Sequence, residues 1–575
     1  MESISCLYKC VPAGVDLNHV GHARHVTRYD AVVIGSGPNG LVAANLLVDA
    51  GWSVLVLEAN ESVGGAVASA DDVHPGFVHD TFSSFYPLAA GSPTIQALGL
   101  EEHGLRWSHA PAVLGHPYPD GRWALQVRDR EVTARLLDED QAGDGEAWLA
   151  LCEEWDSIGS AVIDGLLTPL PPVKAGLKAL AKLPKVGGLD FVRMMLTPAA
   201  EIGRTRFSGE LPRVLLAGNA GHADIPLDAA GSSVMALVLT MLGQTVGFPV
   251  PQGGAGKLTE AMAARFESLG GEIRCEHAVD SVELRNGRAV GVRAAGSSYG
   301  ARRAVLADVH ATRLFGGLVA TEDLPDRVAR GLRSFQHDPS TVKVDWALSG
   351  PVPWASAPAY DPGTVHVADS LSQMTEALGQ VAAGAIPAEP FMLAGQMTTA
   401  DPTRSPEGTE ALWAYTHVPQ ETVHDAGDGS VRGVWDRDDC ERMADRMQSR
   451  IERLAPGLAS RIVARRILGP RELESRNANL VGGSLNGGTA QLHQQLVFRP
   501  YPGGGRAETG IPGLYLASAS AHPGGGVHGA PGSNAARAAE STAHPARTRP
   551  ARRSRTNGCT RSAGDEFTLD DRVGA

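Results

Sequence analysis

Hydrophobic and polar positions along residues 29–65 follow the pattern of a strand, a helix and a second strand. Residues 30–34 are a short apolar run rich in β-branched side chains, which is typical of a buried parallel strand. Residues 41–50 carry apolar side chains at helical spacing, and Gly51 stands where a glycine commonly ends a helix. Residues 53–57 form a second apolar run that leads into Glu58. The pattern predicts a β-α-β unit with two parallel strands.

The rest of the chain shows both helical and strand periodicities. Apolar residues at helical spacing predict helices over residues 146–163, 233–242 and 436–454. The strands predicted at residues 279–284 and 289–292 flank Asn286-Gly287, a pair that favours a tight hairpin. Residues 342–348 alternate between apolar and more polar side chains, which predicts a half-buried strand. A last apolar strand at 513–517 leads through a glycine turn into a helix from about Pro531. This mixture predicts an α/β fold.

The turn after the first strand fills the pattern G-x-G-x-x-G with residues Gly35, Ser36, Gly37, Pro38, Asn39 and Gly40. In such a turn the first glycine permits the sharp bend, the second lets a pyrophosphate approach the backbone, and the third lets the helix pack close to the sheet. The N–H groups and the positive dipole end of the helix then face the phosphates. The sequence predicts a dinucleotide site here, with a purely structural β-α-β unit as the alternative.

Glu58 and the glycines that follow it narrow the choice of dinucleotide. A carboxylate at the end of the second strand is placed to accept hydrogen bonds from ribose hydroxyls, and it would repel a 2′-phosphate. The sequence therefore disfavours NADP at this turn and leaves NAD and FAD. Gly64 and Gly65 form a second glycine turn, which suits a backbone that doubles back over a long, extended cofactor.

Composition limits the kinds of partner. The 575-residue chain is 43% hydrophobic with a mean hydropathy of −0.11, which fits a soluble globular chain with a sizeable core. Its net charge of −13 disfavours nucleic-acid binding, which requires a basic face. The six cysteines are scattered without a C-x-x-C pair, which favours a reducing compartment and disfavours electron transfer to a disulfide.

Three stretches together resemble one group of flavoproteins. They are the first β-α-β unit with Glu58, Gly64 and Gly65, the segment PVPQGGAGKLTEAM at residues 249–262, and the segment HPGGGVHGAPGSNAA at residues 522–536. Over roughly residues 28–540 the chain is similar to the FAD-dependent phytoene desaturase and carotenoid oxidoreductase group of the amine-oxidase superfamily. Within that group it looks closest to the subgroup of pyridine nucleotide-disulfide oxidoreductase domain proteins. The resemblance implies FAD as the cofactor and an oxidoreductase as the class of enzyme.

The chain departs from this group at several positions. Ala66 stands where many relatives have arginine, and Ser518 and Ser520 stand where glycines are usual. His528 replaces a residue that is often proline in carotenoid desaturases. These departures leave FAD binding as the expectation and do not support carotenoid chemistry in particular.

The resemblance also implies how the chain is divided. It implies an α/β protein in which a Rossmann-like FAD-binding domain is interleaved with an α+β substrate domain. The predicted FAD-binding segments are 28–110, 249–310 and 471–540, the predicted substrate-domain segments are 111–248, largely helical, and 311–470, with sheet and helices, and the ends at 1–27 and 541–575 are predicted to be disordered. In this group the strand that begins near Val279 meets the adenine, and Gly524, Gly525, Gly526 and Val527 form a second cofactor turn.

The chemistry expected from FAD is the transfer of a hydride from a substrate C–H bond to flavin N5. A helix N-terminus behind the turn at Gly524–Gly526 would stabilise the negative charge of the reduced flavin. His528 lies at that turn and is the candidate for a general base or a flavin-orienting donor, with a structural role as the alternative. His522 and His493 are weaker candidates.

The predicted function is therefore FAD-dependent dehydrogenation or desaturation of a lipophilic or conjugated organic substrate, with oxygen or a quinone as the electron acceptor. The alternatives are an FAD-dependent amine oxidase, a non-redox isomerase that uses reduced FAD, and a flavin-bearing regulatory protein without turnover. We expect a cytoplasmic protein. The basic amphipathic stretch at residues 173–183 is either a solvated surface helix or a peripheral membrane contact. The cysteines and histidines of residues 1–27 match no standard zinc spacing, so no metal site is predicted.

Overall fold

The computed structural model describes residues 27–171, 184, 188–223 and 225–543. Residues 1–26 of the predicted leader, the basic stretch at 173–183 and the predicted tail beyond residue 543 lie outside the described residues. Within the described part of the chain, no helix is long and apolar enough to cross a membrane.

In chain order, the strands of the described residues are β1 Thr27–Ile34, β2 Val54–Leu57, β3 Ser69–Ala70, β4 His79–Asp80, β5 Trp107–Ser108, β6 Ala112–Pro117, β7 Trp123–Gln126, β8 Val250–Pro251, β9 Glu272–Arg274, β10 Val279–Arg285, β11 Arg288–Ala294, β12 Ser297–Ala307, β13 Ser340–Leu348, β14 Pro362–Val367, β15 Ala385–Ile386, β16 Met392–Gln396, β17 Glu410–Val418, β18 His424–Asp425, β19 Ile462–Leu468 and β20 Leu514–Leu516.

The longer helices of the same residues are α1 Pro38–Asp49, α2 Arg130–Asp140, α3 Asp144–Leu167, α4 Leu189–Leu196, α5 Ala199–Arg206, α6 Glu210–Ala220, α7 Ser232–Thr245, α8 Gly256–Ser268, α9 Asp326–Leu332, α10 Leu371–Ala382, α11 Arg437–Leu454, α12 Pro470–Arg476 and α13 Ala530–Ala543.

The first large sheet is built around the predicted β-α-β unit. Its strand order is β10-β11-β12-β1-β2-β9, and β20 also pairs with β12. Strand β1 lies between β2 and β12 and is parallel to both, and β20 is parallel to β12. Asn286 and Gly287 join β10 to β11 with φ angles of 52° and 70°, as a tight hairpin turn requires. Strands from the beginning, middle and end of the chain therefore finish at one edge of this sheet.

The second large sheet has the strand order β19-β13-β17-β16-β14-β6-β7. One of its faces packs against α11 through an apolar cluster that includes Val344, Trp346, Met443 and Ile451. The other face packs against a second apolar cluster that includes Leu393 and Trp413, and it also carries buried polar side chains. Because its strands come from stretches that lie between those of the first sheet, the predicted fold class is confirmed: a Rossmann-like α/β domain interleaved with an α+β domain.

Strand β13 corrects one sequence expectation. The alternation at residues 342–348 predicts a half-buried strand, but the structure buries both faces. On the more polar face, Lys343 and Asp345 pair with each other, and Arg466 donates to Asp345 at 2.8 Å. The Lys343 Nζ also donates to the backbone oxygen of Asp80 at 2.9 Å. Charged side chains can be buried when their partners are buried with them. The alternation of apolar and polar residues in the sequence does not show that other segments cover the more polar face of the strand.

Candidate functional site

The glycine turn after β1 is packed too tightly to hold side chains. A Cβ added at Gly35 would lie 2.8 Å from the backbone oxygen of Asp308, and one added at Gly37 would lie 2.6 Å from Asp308 Oδ2. A Cβ at Gly40 would lie 2.2 Å from the backbone oxygen of Gly35. The three glycines therefore let the turn fit between β1, α1 and the end of β12, which leaves backbone rather than side chains facing a ligand.

Glu58 lies buried at the end of β2 and faces this turn. Its Oε2 accepts hydrogen bonds from the N–H of Ser36 at 2.8 Å and from the Ser36 hydroxyl at 2.6 Å. Its Oε1 accepts the N–H of Asn60 at 3.0 Å. Because each carboxylate oxygen has two lone pairs, Oε1 can accept a further donor such as a ribose hydroxyl. The ribose contact itself stays a prediction.

Asp308, directly after β12, closes the turn from the other side, and it was not among the residues predicted from the sequence. Its Oδ2 accepts the N–H of Gly40 at 2.8 Å, and its own N–H donates to the backbone oxygen of Ile34 at 2.8 Å. Burial raises the pKa of the Asp308 carboxyl to about 7, and the nearby charge of Glu58 contributes to that rise. A protonated carboxyl at this place avoids repulsion of a pyrophosphate. The only indication in the sequence was that Asp308 directly follows a predicted strand, and the structure pairs that strand, β12, with β1.

The second glycine turn doubles back onto the first. The N–H of Gly64 donates to the backbone oxygen of Ser36 at 3.1 Å. A Cβ at Gly65 would lie 3.1 Å from the Cα of Gly37. Both glycines have positive φ, 122° and 56°, which other residues rarely adopt. The two turns thus form one continuous backbone surface at the end of β1.

The third glycine turn precedes α13, and the start of α13 lies against the start of α1. Gly524 and Gly526 have φ angles of 121° and 109°. Behind the turn, a Cβ at Gly532 would lie 1.9 Å from the backbone oxygen of Asn39, so the first turns of α13 and α1 are in close contact. Val527, also in this turn, is half-buried and packs beside residues of α1. The structure therefore places the helix behind the third turn against the helix that follows the first turn.

The residues just before Val279, rather than Val279 itself, contact the site. It begins β10 at the edge of the first sheet and is half-buried. Two residues earlier, the N–H of His277 donates to the backbone oxygen of Glu58 at 2.7 Å. The segment that leads into β10 therefore passes beside Glu58, and the adenine contact of Val279 stays a prediction.

Arg499 is a second site residue that was not predicted from the sequence. Its buried guanidinium donates to the backbone oxygens of Asn486 at 2.6 Å, Ala519 at 2.8 Å and Thr489 at 3.1 Å. A Cβ at Gly524 would lie 3.3 Å from the Arg499 Cζ. Burial lowers the pKa of Arg499 to about 10, so the guanidinium remains a cation at neutral pH. A lone arginine in a loop gives no sequence signal for such a position.

His528 is engaged with the backbone of the third turn. Its Nδ1 accepts the N–H of Ala530 at 3.1 Å, at the start of α13. Burial lowers the pKa of His528 to about 4, although a hydrogen bond to the backbone of Gly525 opposes that shift. The imidazole is therefore neutral and holds the turn in shape. A catalytic role for His528 stays a prediction.

The weaker histidine candidates also bond to protein groups. His522 Nε2 lies 3.1 Å from the backbone oxygen of Thr168, and His493 Nε2 lies 3.0 Å from Gln336 Oε1. Within the described part of the chain, Cys152, Cys275 and Cys440 are free thiols.

The fold and the glycine turns define a class, a protein with a Rossmann-like dinucleotide-binding domain. Residues 33–98 match the family model described as "NAD(P)-binding Rossmann-like domain". The chain is 28% identical to "Pyridine nucleotide-disulfide oxidoreductase domain-containing protein 2" of Rattus norvegicus, over 88% of this chain and 92% of that protein. It is 25% identical to "Prolycopene isomerase, chloroplastic" of Daucus carota, over 87% and 77% of the two chains. It is 22% identical to "Phytoene desaturase" of Fusarium fujikuroi, over 86% of each.

A solved structure extends the comparison to the fold. Putrescine oxidase bound to putrescine matches with a TM-score of 0.56 at 16% identity, over 89% of this chain and 98% of that one. The resemblance predicted from the sequence is thus confirmed, both for the named relatives and for the amine-oxidase-like architecture.

Proposed function

We propose that the chain is an FAD-dependent oxidoreductase that removes a hydride from a C–H bond of a lipophilic or conjugated organic substrate. The observation that carries the proposal is that two glycine turns lie against each other at the end of β1, while the helix behind a third turn, near the end of the described chain, packs against α1. The turns at residues 35–40 and 64–65 lie against each other, and Gly532 lets the helix behind the third turn meet α1. Such a surface suits a cofactor longer than a mononucleotide, held by backbone groups.

The residues of the site fit FAD by their chemistry. When bound, FAD would supply the electron sink for the hydride. Glu58 would accept ribose hydroxyls, and the backbone at Gly37 would meet the pyrophosphate. The turn at residues 524–526, the N-terminus of α13 behind it and the buried cation of Arg499 beside it would stabilise negative charge on the reduced ring.

The relatives support the substrate class. The desaturase and isomerase names belong to proteins that share a quarter or less of their residues with this chain, so they favour a lipophilic, conjugated molecule without identifying it. An oxygen or quinone acceptor and a cytoplasmic location are parts of the same proposal.

The test is anaerobic bleaching of the flavin. The purified protein would be titrated with polyenes, long-chain alcohols and amines while the flavin absorbance is recorded. We expect an apolar or conjugated compound to bleach the flavin, and air or a quinone to restore it.

Three outcomes would contradict parts of the proposal. If no flavin copurifies and added FAD does not bind, the cofactor assignment is wrong. If amines alone bleach the flavin, the substrate class is wrong. If bleaching never occurs but the chemically reduced protein isomerises a polyene, the reaction is a non-redox isomerisation.

A further inference from the structure

Exposed apolar side chains are concentrated in two segments of the described chain. Twelve large apolar side chains are exposed there, and seven of them belong either to α4 or to the loop at residues 492–498. The seven are Leu189, Val192, Leu196, Leu492, Leu496, Val497 and Phe498. Single exposed apolar side chains are normal on a protein surface, whereas a concentration of them marks a surface that binds another body.

Helix α4 carries apolar side chains on two opposite faces. Phe191 and Met194 are buried and face the core. Leu189, Val192 and Leu196 follow one another at spacings of three and four, so they form a second row along one face of the helix. This row is exposed. A surface helix normally presents polar residues on its outer face, so the packing of the core does not explain the second row.

The loop that carries the other four side chains is held firmly in place. Leu496 has a φ angle of 56°, which a bulky residue rarely adopts. The N–H of Arg499 donates to the backbone oxygen of Leu496 at 3.2 Å, and the N–H of Gly503 donates to that of Val497 at 2.8 Å. A Cβ at Gly505 would lie 2.9 Å from the Cα of Val497. The exposure of these apolar side chains is therefore built into the backbone, and strain kept in an exposed loop indicates a function.

The start of α7 joins the two segments. A Cβ at Gly231 would lie 2.9 Å from the Cδ2 of Leu492, on the loop. Two residues later, the hydroxyl of Ser233 donates to the backbone oxygen of Met195, on α4, at 3.0 Å. The seven exposed side chains therefore belong to one apolar surface.

This apolar surface lies next to the third glycine turn. Arg499 directly follows Phe498 in the chain. A Cβ at Gly524 would lie 3.3 Å from the Arg499 Cζ and 3.5 Å from the Gln495 Oε1. The loop that carries part of the apolar surface thus also contacts the turn that is proposed to lie beside the reactive ring.

The charges favour a lipid surface over a second copy of the chain. Arg193 lies about 40° around the axis of α4 from Leu189, and among the described residues its guanidinium has no hydrogen-bond or ion-pair partner. A long cationic side chain beside an apolar row can reach lipid phosphates while its neighbours enter the apolar layer. The net charge of −13 makes two copies repel each other, whereas an uncharged phosphatidylcholine surface does not repel the chain.

We propose that the apolar surface of α4 and the loop at residues 492–498 docks on a lipid bilayer, from which the protein takes up a substrate dissolved in the membrane. This inference rests on the proposed function for the class of substrate. The exposed side chains would enter the boundary between the head groups and the acyl chains without spanning the bilayer. The contact is separate from the basic stretch at residues 173–183.

The experiment measures flotation of the full-length, flavin-loaded protein with lipid vesicles. The vesicles contain phosphatidylcholine alone or phosphatidylcholine with phosphatidylserine, at low and at high salt. We expect the protein to bind the phosphatidylcholine vesicles and to stay bound at high salt, because apolar burial is not screened by ions.

Two substitutions test the apolar surface, and a third is the control. Leu196→Ser and Phe498→Ser should each weaken vesicle binding about tenfold, since one large, half-exposed apolar side chain no longer enters the bilayer. Leu269→Ser is matched, because Leu269 directly follows α8 and is 47% exposed, against 54% for Leu196. The control should bind vesicles as the wild type does, and circular dichroism would verify that all three variants are folded.

Three results would overturn the inference. The first is that the wild type does not float with either kind of vesicle. The second is that binding is lost at high salt, which would indicate an electrostatic contact, or that Leu269→Ser weakens it as much as Leu196→Ser. The third is that the wild type is a dimer by light scattering, that Leu196→Ser dissociates it and that vesicles do not bind, which would assign the apolar surface to a second copy.

The same experiment distinguishes this inference from the proposed function. Vesicle flotation can be measured whether or not flavin is present. A protein that binds vesicles but not FAD would contradict the proposed function alone. A flavin-loaded protein that does not bind vesicles would contradict only the docking of the apolar surface.

Discussion

The carboxyl group of Asp308 touches the glycine turn that the sequence assigns to a pyrophosphate. Its Oδ2 bonds the N–H of Gly40 and lies where a side chain at Gly37 would lie. An ionised carboxylate at this position would oppose both Glu58 and an anionic ligand. We therefore expect the protonation of this one residue to affect both the stability of the fold and the binding of the proposed cofactor.

Asp308→Asn should remove the part of the pH dependence of folding stability that the Asp308 carboxyl causes. Burial raises the pKa of Asp308 from 3.8 to about 7 in the folded state. The unfolded chain therefore releases this proton at lower pH than the folded chain, and stability is lost as pH rises from about 4 to 7. We expect the variant to gain stability relative to the wild type as pH rises from about 5 to 8, and its FAD affinity to change less across that range. Thermal unfolding and FAD titration at each pH measure both quantities.

Glu410→Gln supplies the control for this prediction. Burial also raises the pKa of Glu410 to about 7, but this residue lies on β17 in the second sheet. The control should alter the pH dependence of stability and leave that of FAD affinity unchanged. A wild-type pH dependence of FAD affinity in Asp308→Asn would show that Asp308 does not face the cofactor.

Some helices and strands could be predicted from the sequence pattern of their own residues, and others could not. The first β-α-β unit was predictable, because its apolar runs, its glycines and the helix-ending Gly51 all lie within one short stretch. Helix α1 begins at Pro38 rather than at residue 41, since a proline is readily accommodated in the first helical turn. The full burial of β13 was not predictable, because its cover comes from segments far away in the sequence.

A buried ion-pair cluster connects elements of both halves. Arg404 lies between Asp80, at 3.0 and 3.1 Å, and Asp401, at 3.0 Å, and all three side chains are fully buried. Asp401 in turn accepts the N–H of Gly253 at 2.7 Å. Arg404→Ala would leave two carboxylates buried without their cation, which typically costs about 3–5 kcal/mol. We expect a large drop in the midpoint of chemical unfolding.

Lys257→Ala is the matched control for Arg404→Ala. Lys257 pairs with Glu260 at 2.7 Å, and about half of each side chain is exposed. Exposed pairs of this kind contribute about 0–1 kcal/mol, so the midpoint should move little. Equal midpoints for the two variants would mean that the buried cluster does not stabilise the fold.

At the scale of the whole molecule, the candidate site is formed by three segments that are far apart in the sequence. Glu58 and the turns at residues 35–40 and 64–65 could be assigned from one segment of sequence. Asp308 and Arg499 could not, because neither belongs to a local motif and each acquires its role from a contact made by the returning chain.

Because the site joins three separated segments, bound FAD should stabilise the whole molecule rather than one element. A ligand present at a hundredfold excess over its Kd stabilises the folded state by about 2.7 kcal/mol. We expect removal of FAD to lower the Tm and its addition to restore it. Gly37→Ala should abolish that response, because the methyl group would lie 2.6 Å from Asp308 Oδ2. Gly379→Ala, in α10 with no atom within 4 Å of the added Cβ, should respond as the wild type does. Circular dichroism would verify that both variants are folded, and a full FAD response in Gly37→Ala would place the pyrophosphate elsewhere.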